Sequence, residues 1–381
     1  MSRFRDIVLL GAGRVGNAIA RDLVRDGEYR LTAADASLAA LGRLRGVEGI
    51  RLEQVDLGDD QALRSLIAHA DLVVGAVPGP LGFETLRRVL EAGKHVVDIS
   101  FFEEDAFALD ALAREHGCTA VVDCGIAPGC SNLILGHFAA TLDSVERFWC
   151  AVGGLPVERH WPFEYRAPFS PIDVIAEYTR PARFRRSGEE VTMPALSEVE
   201  LIDLPGIGTL EAFNTDGLRT LLATLPVPDM VEKTLRYPGH AERMRIFRET
   251  GFFSDRGIEL DGELVRPIDV TAELLFDAWQ YDEGEEDLTV MRVVVDGTHE
   301  GRPVRHRYDL LDRYDVETDT ASMSRTTGYT CTAVVRLLDS ALYSEPGITP
   351  PELLGGTPGC FDFIMARLEE RGVRFTGSTS R

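Results

Sequence analysis

Lysine is almost missing from this chain. Of 40 basic residues only Lys94 and Lys233 are lysines; the rest are arginines, set against 62 acidic residues for a formal net charge of −22. An acidic excess of this size repels phosphates, so neither nucleic acid nor an anionic membrane surface is expected as a partner. Cysteine is sparse as well. Cys118, Cys124, Cys130, Cys150, Cys331 and Cys360 show no Cys-x-x-Cys spacing, a pattern that fits a reducing compartment and a cytoplasmic protein. No apolar run is long enough to span a bilayer. No charged-then-apolar leader opens the chain, so the mature protein is expected to start here. There is no His-x-x-x-His, no paired cysteine ligand set and no Gly-x-x-x-x-Gly-Lys-Ser/Thr loop, so no metal site is expected. Internal repeats and low-complexity stretches are missing too. The 381 residues suffice for two domains.

What is present begins at once. The apolar run Asp6–Leu10 ends in Gly11-Ala-Gly13-Arg14-Val15-Gly16 and opens directly into a helical pattern. Gly11 permits a tight turn, Gly13 lets the backbone approach a pyrophosphate, and Gly16 lets helix and strand pack closely. The helix N-terminus, with the backbone of Arg14 and Val15, then offers N–H groups and partial positive charge to phosphates. Asp35 closes the next apolar stretch, where a carboxylate accepts hydrogen bonds from an adenosine ribose diol. A carboxylate there repels a 2′-phosphate, so NAD is the expected cofactor. Arg43 and Arg45 lie near enough in sequence to keep NADP open.

The first third alternates strand patterns (7–10, 30–34, 50–55, 72–77, 95–99, 119–122) with helix patterns (15–25, 37–45, 60–68, 83–92, 105–116). This implies a doubly wound parallel sheet, which binds ligands beyond the carboxyl ends of its strands. Asp56 stands at one such end, as an adenine contact or as part of a helix N-cap region in which Asp59 is the better cap. Ala76-Val77-Pro78-Gly79-Pro80 stands at another, as a cofactor contact through backbone or as a plain loop. Asp123-x-Gly-x-x-Pro-Gly129 reads as a crossover that also lines the site. Beyond it a helix is expected at 132–142. Short β-rich segments follow at 148–152, 199–202, 236–237, 288–296 and 303–311, which suggest an antiparallel sheet with inserted helices. Helix patterns return through Leu338 and at 361–371, to pack on the first domain. Thr376–Arg381 reads as a disordered tail. The expected domains are 1–128 plus 325–381, and 129–324.

Within the second domain Lys233-Thr-Leu-Arg236-Tyr-Pro-Gly-His240 concentrates cationic and titratable groups in an acidic protein. Arg236 suits a bidentate grip on a carboxylate, Lys233 can hold an anion, and His240 has the intrinsic pKa for proton transfer; each is also a common structural residue. Glu211–Gly217 reads as a polar, turn-like stretch able to contact substrate. Glu164 and Tyr165 are weaker candidates.

These motifs together resemble the saccharopine dehydrogenase family, and within it the lysine 6-dehydrogenases. The resemblance rests on the glycine loop, Ala92-Gly-Lys-His-Val-Val-Asp98, Asp123-x-Gly-x-x-Pro-Gly129, Val152-Gly-Gly-x-Pro156, Leu196-Ser-Glu-Val-Glu200, Leu210-Glu-Ala-Phe-x-Thr215, Lys233–His240 and Thr326-Thr-x-Tyr-Thr330. It implies a Rossmann domain, an inserted α+β substrate domain, C-terminal helices returning to the first domain, and a homodimer. It also implies an NAD(P)-dependent dehydrogenase acting on a C–N bond of an amino acid or diamine, with Lys233, Arg236, His240 and Asp123 as catalytic candidates. Lysine 6-deamination is the first expectation; a saccharopine-type reaction joining or splitting an amino acid and a keto acid, or a non-catalytic NAD(H) sensor, are the alternatives. Two stretches depart from the lysine enzymes, Val77–Phe83 and Ile99–Asp105. In the second, Glu103 and Glu104 read as the acidic first turn of the next helix or as a receiver for an amine.

Overall fold

The computed structural model describes residues 3–167, 171–282 and 284–381. In chain order the first elements are β1 (Asp6–Leu10), α1 (Arg14–Val24), β2 (Arg30–Asp35), α2 (Leu38–Gly42), β3 (Ile50–Gln54), α3 (Asp60–Ile67), β4 (Leu72–Gly75), α4 (Gly79–Glu91), β5 (His95–Asp98), α5 (Asp110–Glu115), β6 (Thr119–Val121) and α6 (Cys130–Thr141). Then come β7 (Ser144–Pro156), α7 (Pro171–Thr179), β8 (Ala182–Arg186), β9 (Glu189–Met193), β10 (Glu200–Leu204), β11 (Gly208–Asn214), α8 (Leu221–Thr224), β12 (Asp229–Arg236), α9 (His240–Glu249), β13 (Ile258–Leu260), β14 (Glu263–Val265), α10 (Pro267–Trp279), β15 (Asp287–His299) and β16 (Arg302–Arg313). The chain closes with α11 (Ser322–Asp339), β17 (Gly347–Thr349), α12 (Pro351–Gly356), α13 (Cys360–Glu370) and β18 (Phe375–Ser380). It divides into two compact units, residues 1–141 with 324–374 and residues 142–323 with 375–381.

In the first unit a seven-stranded sheet runs β17-β6-β5-β4-β1-β2-β3, with every pairing parallel. The order reverses between β1 and β4, the switch point at which such sheets take up a ligand. Val8, Leu10, Val73 and Val96 carry one face into a core with Leu63, Leu86 and Leu90. The central strands β1, β4 and β5 read as near-continuous apolar runs because a parallel sheet is covered on both faces, whereas β3 at the edge, Ile-Arg-Leu-Glu-Gln, is half exposed. Strand β4 stops two residues short of the expected end. Pro78 has no N–H to donate, and Pro80 fits the first turn of α4, which starts at Gly79 rather than Phe83. Helix α2 ends early at Gly42. Glu103 and Glu104 are exposed and precede a short 3₁₀ turn, Ala106–Leu109, capped by Asp105, so they are not in a helix first turn.

In the second unit the main sheet runs β10-β11-β12-β7-β15-β16-β18, with β8 on β12 and β9 on β8. It is mixed rather than antiparallel, because β12 lies parallel to β7. Three further expectations are corrected. Residues 211–214 are not a turn but the end of β11, whose Leu210 and Ala212 are buried. The strand expected at 236–237 occupies 229–236, hidden from pattern reading because Glu232, Lys233 and Arg236 are charged yet buried. The tail expected to be disordered forms β18, paired to β16 from Arg305↔Ser380 to Leu310↔Phe375; its side chains are exposed, so backbone hydrogen bonds rather than an apolar face hold it. The contacts also extend the first unit through α6, to residue 141 rather than 128, and assign 375–381 to the second unit. No helix among the described residues is long and apolar enough to cross a membrane.

Candidate functional site

In the first unit the glycine loop joins β1 to α1 at the switch point. Gly11 has φ +100, and a Cβ there would lie 2.3 Å from the carbonyl oxygen of Ala76. That clash ties the loop to the end of β4, where the N–H of Ala76 donates to the carbonyl of Leu10 at 2.8 Å. A Cβ at Gly16 would lie 2.1 Å from the carbonyl oxygen of Gly11, so only glycine lets helix and turn approach. Gly13 is exposed, with nothing within 4 Å of its would-be Cβ. It is the N-cap of α1 and supplies no side-chain cap. The N-cap residue thus contributes no side chain to the helix start, and the approach at Gly13 is open, as a pyrophosphate requires. Asp35, half-buried, ends β2, and its two carboxylate oxygens accept from the N–H of Ala12 at 2.7 Å and of Ser37 at 2.8 Å. Each oxygen keeps a second lone pair for a ribose hydroxyl. Asp56 is exposed at the end of β3 and accepts from Gly58 N–H at 2.9 Å, while Asp59 caps α3. Ala76 is half-buried, Val77 buried and Pro78 exposed. Arg43 and Arg45 are exposed. The fit to a dinucleotide thus rests on an open cradle at Gly13, an uncapped helix start and a carboxylate at the second strand end.

Asp123 follows β6, buried, with φ +52. A non-glycine residue in the left-handed region costs energy that the surroundings must outweigh. The N–H of Cys124 donates to the Asp98 carbonyl at 3.0 Å, which anchors the turn to the end of β5. Cys124 and Cys130 are buried thiols, and burial pushes both pKa values up, Cys130 to about 12. Among the described residues no group of His, Cys, Asp and Glu is placed to hold a metal ion.

In the second unit the Lys233–His240 stretch separates by strand alternation. Residues 233 and 236 on β12 point to opposite faces. Lys233 Nζ donates to the Glu198 carbonyl at 2.7 Å and pairs with Glu200 at 2.8 Å. On the other face Arg236 and His240 do come together, through Tyr178. The Tyr178 hydroxyl stands 2.9 Å from His240 Nε2 and 3.4 Å from Arg236 Nε. The Arg236 guanidinium lies 4.3 Å from the Tyr165 ring centroid and pairs with Glu177 at 2.7 Å, while Nη1 donates to the Leu235 carbonyl. His240 is fully buried, and its Nδ1 is 2.9 Å from the Phe163 carbonyl. Burial first, then the Arg236 charge, pushes the pKa of His240 down to about 3. The ring is neutral at physiological pH with both nitrogens engaged, which is the state of an orienting group rather than a proton carrier. Glu211 is buried and accepts from the N–H groups of Gly239 and Ala241, so it compensates the N-terminus of α9. Asp216 holds Arg183 through both oxygens, at 3.0 and 2.9 Å. Glu177 and Tyr178 escaped sequence reading, since an acid and an aromatic on a short helix carry no motif.

A model described as the saccharopine dehydrogenase NADP binding domain matches residues 7–121, and one described as the saccharopine dehydrogenase C-terminal domain matches residues 125–373. The chain belongs to the saccharopine dehydrogenase family. A saccharopine dehydrogenase [NADP(+), L-glutamate-forming] of Pyricularia oryzae is 25% identical over 264 residues, 66% of this chain and 58% of that protein. The protein of the same name from Schizosaccharomyces pombe is 21% identical over 424 residues, covering 91% of this chain and 93% of its own. A solved apo saccharopine dehydrogenase (L-Glu forming) of Saccharomyces cerevisiae superposes with a TM-score of 0.80 at 19% identity, over 99% of this chain and 100% of that one. The family assignment and the two-unit fold therefore agree.

Proposed function

We propose that this family member is an NAD(P)-dependent oxidoreductase acting at a C–N bond of an amino acid. The observation that carries the reading is the open, uncapped glycine cradle at Gly11, Gly13 and Gly16 with Asp35 beside it, in a chain of the saccharopine dehydrogenase family. A bound nicotinamide supplies one thing, a carbon that exchanges a hydride with the substrate. The rest is the chain's work. Gly13 and the first turn of α1, with Arg14 and Val15, hold the pyrophosphate. Asp35 holds the ribose diol, and its negative charge supports NAD over NADP, although the matched domain is named for NADP. The backbone of Ala76, Val77 and Pro78 walls the strand ends, and Asp56 receives the adenine edge. Asp123 contributes a carboxylate at the edge where such sheets bind ligands. In the second unit Arg236, Glu177, Tyr178 and His240 form a buried, charge-balanced frame, with His240 orienting the Tyr178 hydroxyl. Lys233 braces the strand beside it.

For the substrate, the names of the relatives favour a saccharopine-type secondary amine. Oxidation removes a hydride from the carbon and a proton from the nitrogen, and water then splits the imine into a carbonyl compound and an amine. Lysine 6-deamination is the same chemistry on a primary amine, and the family motifs above support it as the second reading. The protein is proposed to act as a cytoplasmic homodimer. The test is absorbance at the reduced nicotinamide band with NAD⁺ or NADP⁺ and L-saccharopine, L-lysine and a panel of amines. Turnover of L-saccharopine supports the first reading and of L-lysine the second. Tight NAD(H) binding with no substrate oxidised would leave a sensor.

A further inference from the structure

The stretch from the end of α9 through α10 leaves large apolar side chains bare. Phe252, Ile258, Leu260, Leu264, Val270 and Leu274 are each half or more exposed, Leu264 at 79% and Leu274 at 69%. Val270 and Leu274 stand one turn apart on α10, on the side away from its buried Thr271, Leu275 and Trp279. The stretch is tied together at its base. The Phe252 carbonyl accepts from the Thr271 hydroxyl at 2.9 Å, the Ile268 N–H donates to the Ser254 carbonyl at 3.0 Å, and the Phe252 ring stands 5.3 Å from that of Phe247. Between these ties projects the β13–β14 hairpin. Its turn is well made: Asp261 and Gly262, at φ +52 and +85, join the pair Leu260↔Glu263 in the geometry that suits a two-residue loop. Yet among the described residues the ladder pairs with no other strand. Ile258 and Leu260 point to one side of it and Leu264 to the other, while β13 is exposed throughout and β14 nearly so. Two strands alone are marginal in water, and apolar side chains left bare in this number mark a contact surface.

We infer that the β13–β14 hairpin and the outer side of α10 form a self-association surface, covered in solution by a second copy of the chain. The six side chains, with on the order of 100 Å² bare on each, come to about 600 Å² a copy and about 1,200 Å² for a pair, the size at which interfaces between proteins become stable. A hairpin is also self-complementary. Its free strand edge can pair antiparallel with the same edge of another copy across a two-fold axis, which supplies the further strands that a lone ladder needs. Charge opposes this pairing rather than driving it. Each copy carries −22, and Glu259, Asp261, Glu263, Asp269 and Glu273 are exposed along the same stretch. Salt screens that repulsion, so a contact made by apolar burial tightens as salt rises, the reverse of one held by ion pairs. The inference rests on the homodimer reading above for the kind of partner, and on the bare side chains for the place.

The test is sedimentation velocity of the full-length protein over a concentration series, at low and at high salt. It compares wild type with Leu264→Glu, Leu274→Glu and Val316→Ser. Val316 is the control, 73% exposed but outside the stretch. All three replaced side chains are exposed, so far-ultraviolet circular dichroism should match wild type in each variant. Wild type is expected to sediment as a pair that tightens in high salt. Each Glu variant should raise the dissociation constant at least about tenfold, because it puts a charge into a contact that excludes water. Val316→Ser should leave it unchanged. A wild type that is monomeric at every concentration hands the patch to some other partner and overturns both the inference and the homodimer. A wild-type dimer that both Glu variants retain at full strength overturns the inference alone. So does equal weakening by Val316→Ser, or a pair that loosens as salt rises.

Discussion

His240 makes the second unit acid-sensitive in a way that can be worked out in advance. The ring is fully buried between Tyr178, Phe163 and Arg236, and its pKa falls from 6.5 to about 3. An unfolded His binds a proton below about 6.5, whereas the folded one stays neutral until near pH 3, so the unfolded state holds the extra proton throughout that window. Stability from this group is therefore complete above pH 6.5 and lost as the pH falls. At about 1.4 kcal/mol per pH unit the loss is roughly 2 kcal/mol between pH 6.5 and 5. The perturbation is His240→Gln, which removes the titration and keeps a polar side chain. The assay is urea unfolding followed by tryptophan fluorescence. It reads the second unit alone, since Trp149, Trp161 and Trp279 all lie there. At pH 7 the wild type should be the more stable by about 1–3 kcal/mol, from the two hydrogen bonds. At pH 5 that advantage should have shrunk by about 2 kcal/mol. Parallel stability curves for the two proteins from pH 7 to 5 would refute the neutral, buried assignment.

Gly13→Ala should fold and melt as wild type, because nothing lies within 4 Å of the added methyl, yet weaken NAD(H) binding at least about tenfold by standing where the pyrophosphate approaches; unchanged affinity in a fluorescence titration would remove the loop from the cofactor site. Gly11→Ala, by contrast, meets the Ala76 carbonyl at 2.3 Å with φ +100 and should lower the melting temperature itself. Asp35→Ala should narrow the ratio of NAD to NADP affinity, and it should also weaken both, because the N–H groups of Ala12 and Ser37 lose their acceptor; a clean reversal of preference with undiminished affinity would count against that bracing role. A chromogenic disulfide reagent should find no fast-reacting thiol in the native protein, since all six cysteines are free and buried and burial raises the Cys124, Cys130, Cys331 and Cys360 pKa values; a thiol modified within seconds would contradict the burial.

Much of the first unit is legible in the sequence. A parallel sheet buried on both faces leaves apolar runs at its central strands, and a glycine loop must follow the first strand if a phosphate is to meet a helix N-terminus. Local chain chemistry therefore determined β1 to β6, the place of Asp35 and the family. The second unit was harder to read. Its central strand β12 carries Glu232, Lys233 and Arg236 inward, which breaks the apolar alternation that marks a strand. Its last strand, β18, is held by pairing with a distant segment, and no local signal announces that. The sequence also grouped Lys233, Arg236 and His240 by proximity along the chain. Only the tertiary structure parted Lys233 from the other two, placed Tyr178 between them and neutralised His240 by burial. Those outcomes depend on which carboxylates and carbonyls arrive from elsewhere in the fold, and the strength of an ionic or hydrogen-bonding group is set by such neighbours and by exclusion of water, not by its position in the chain.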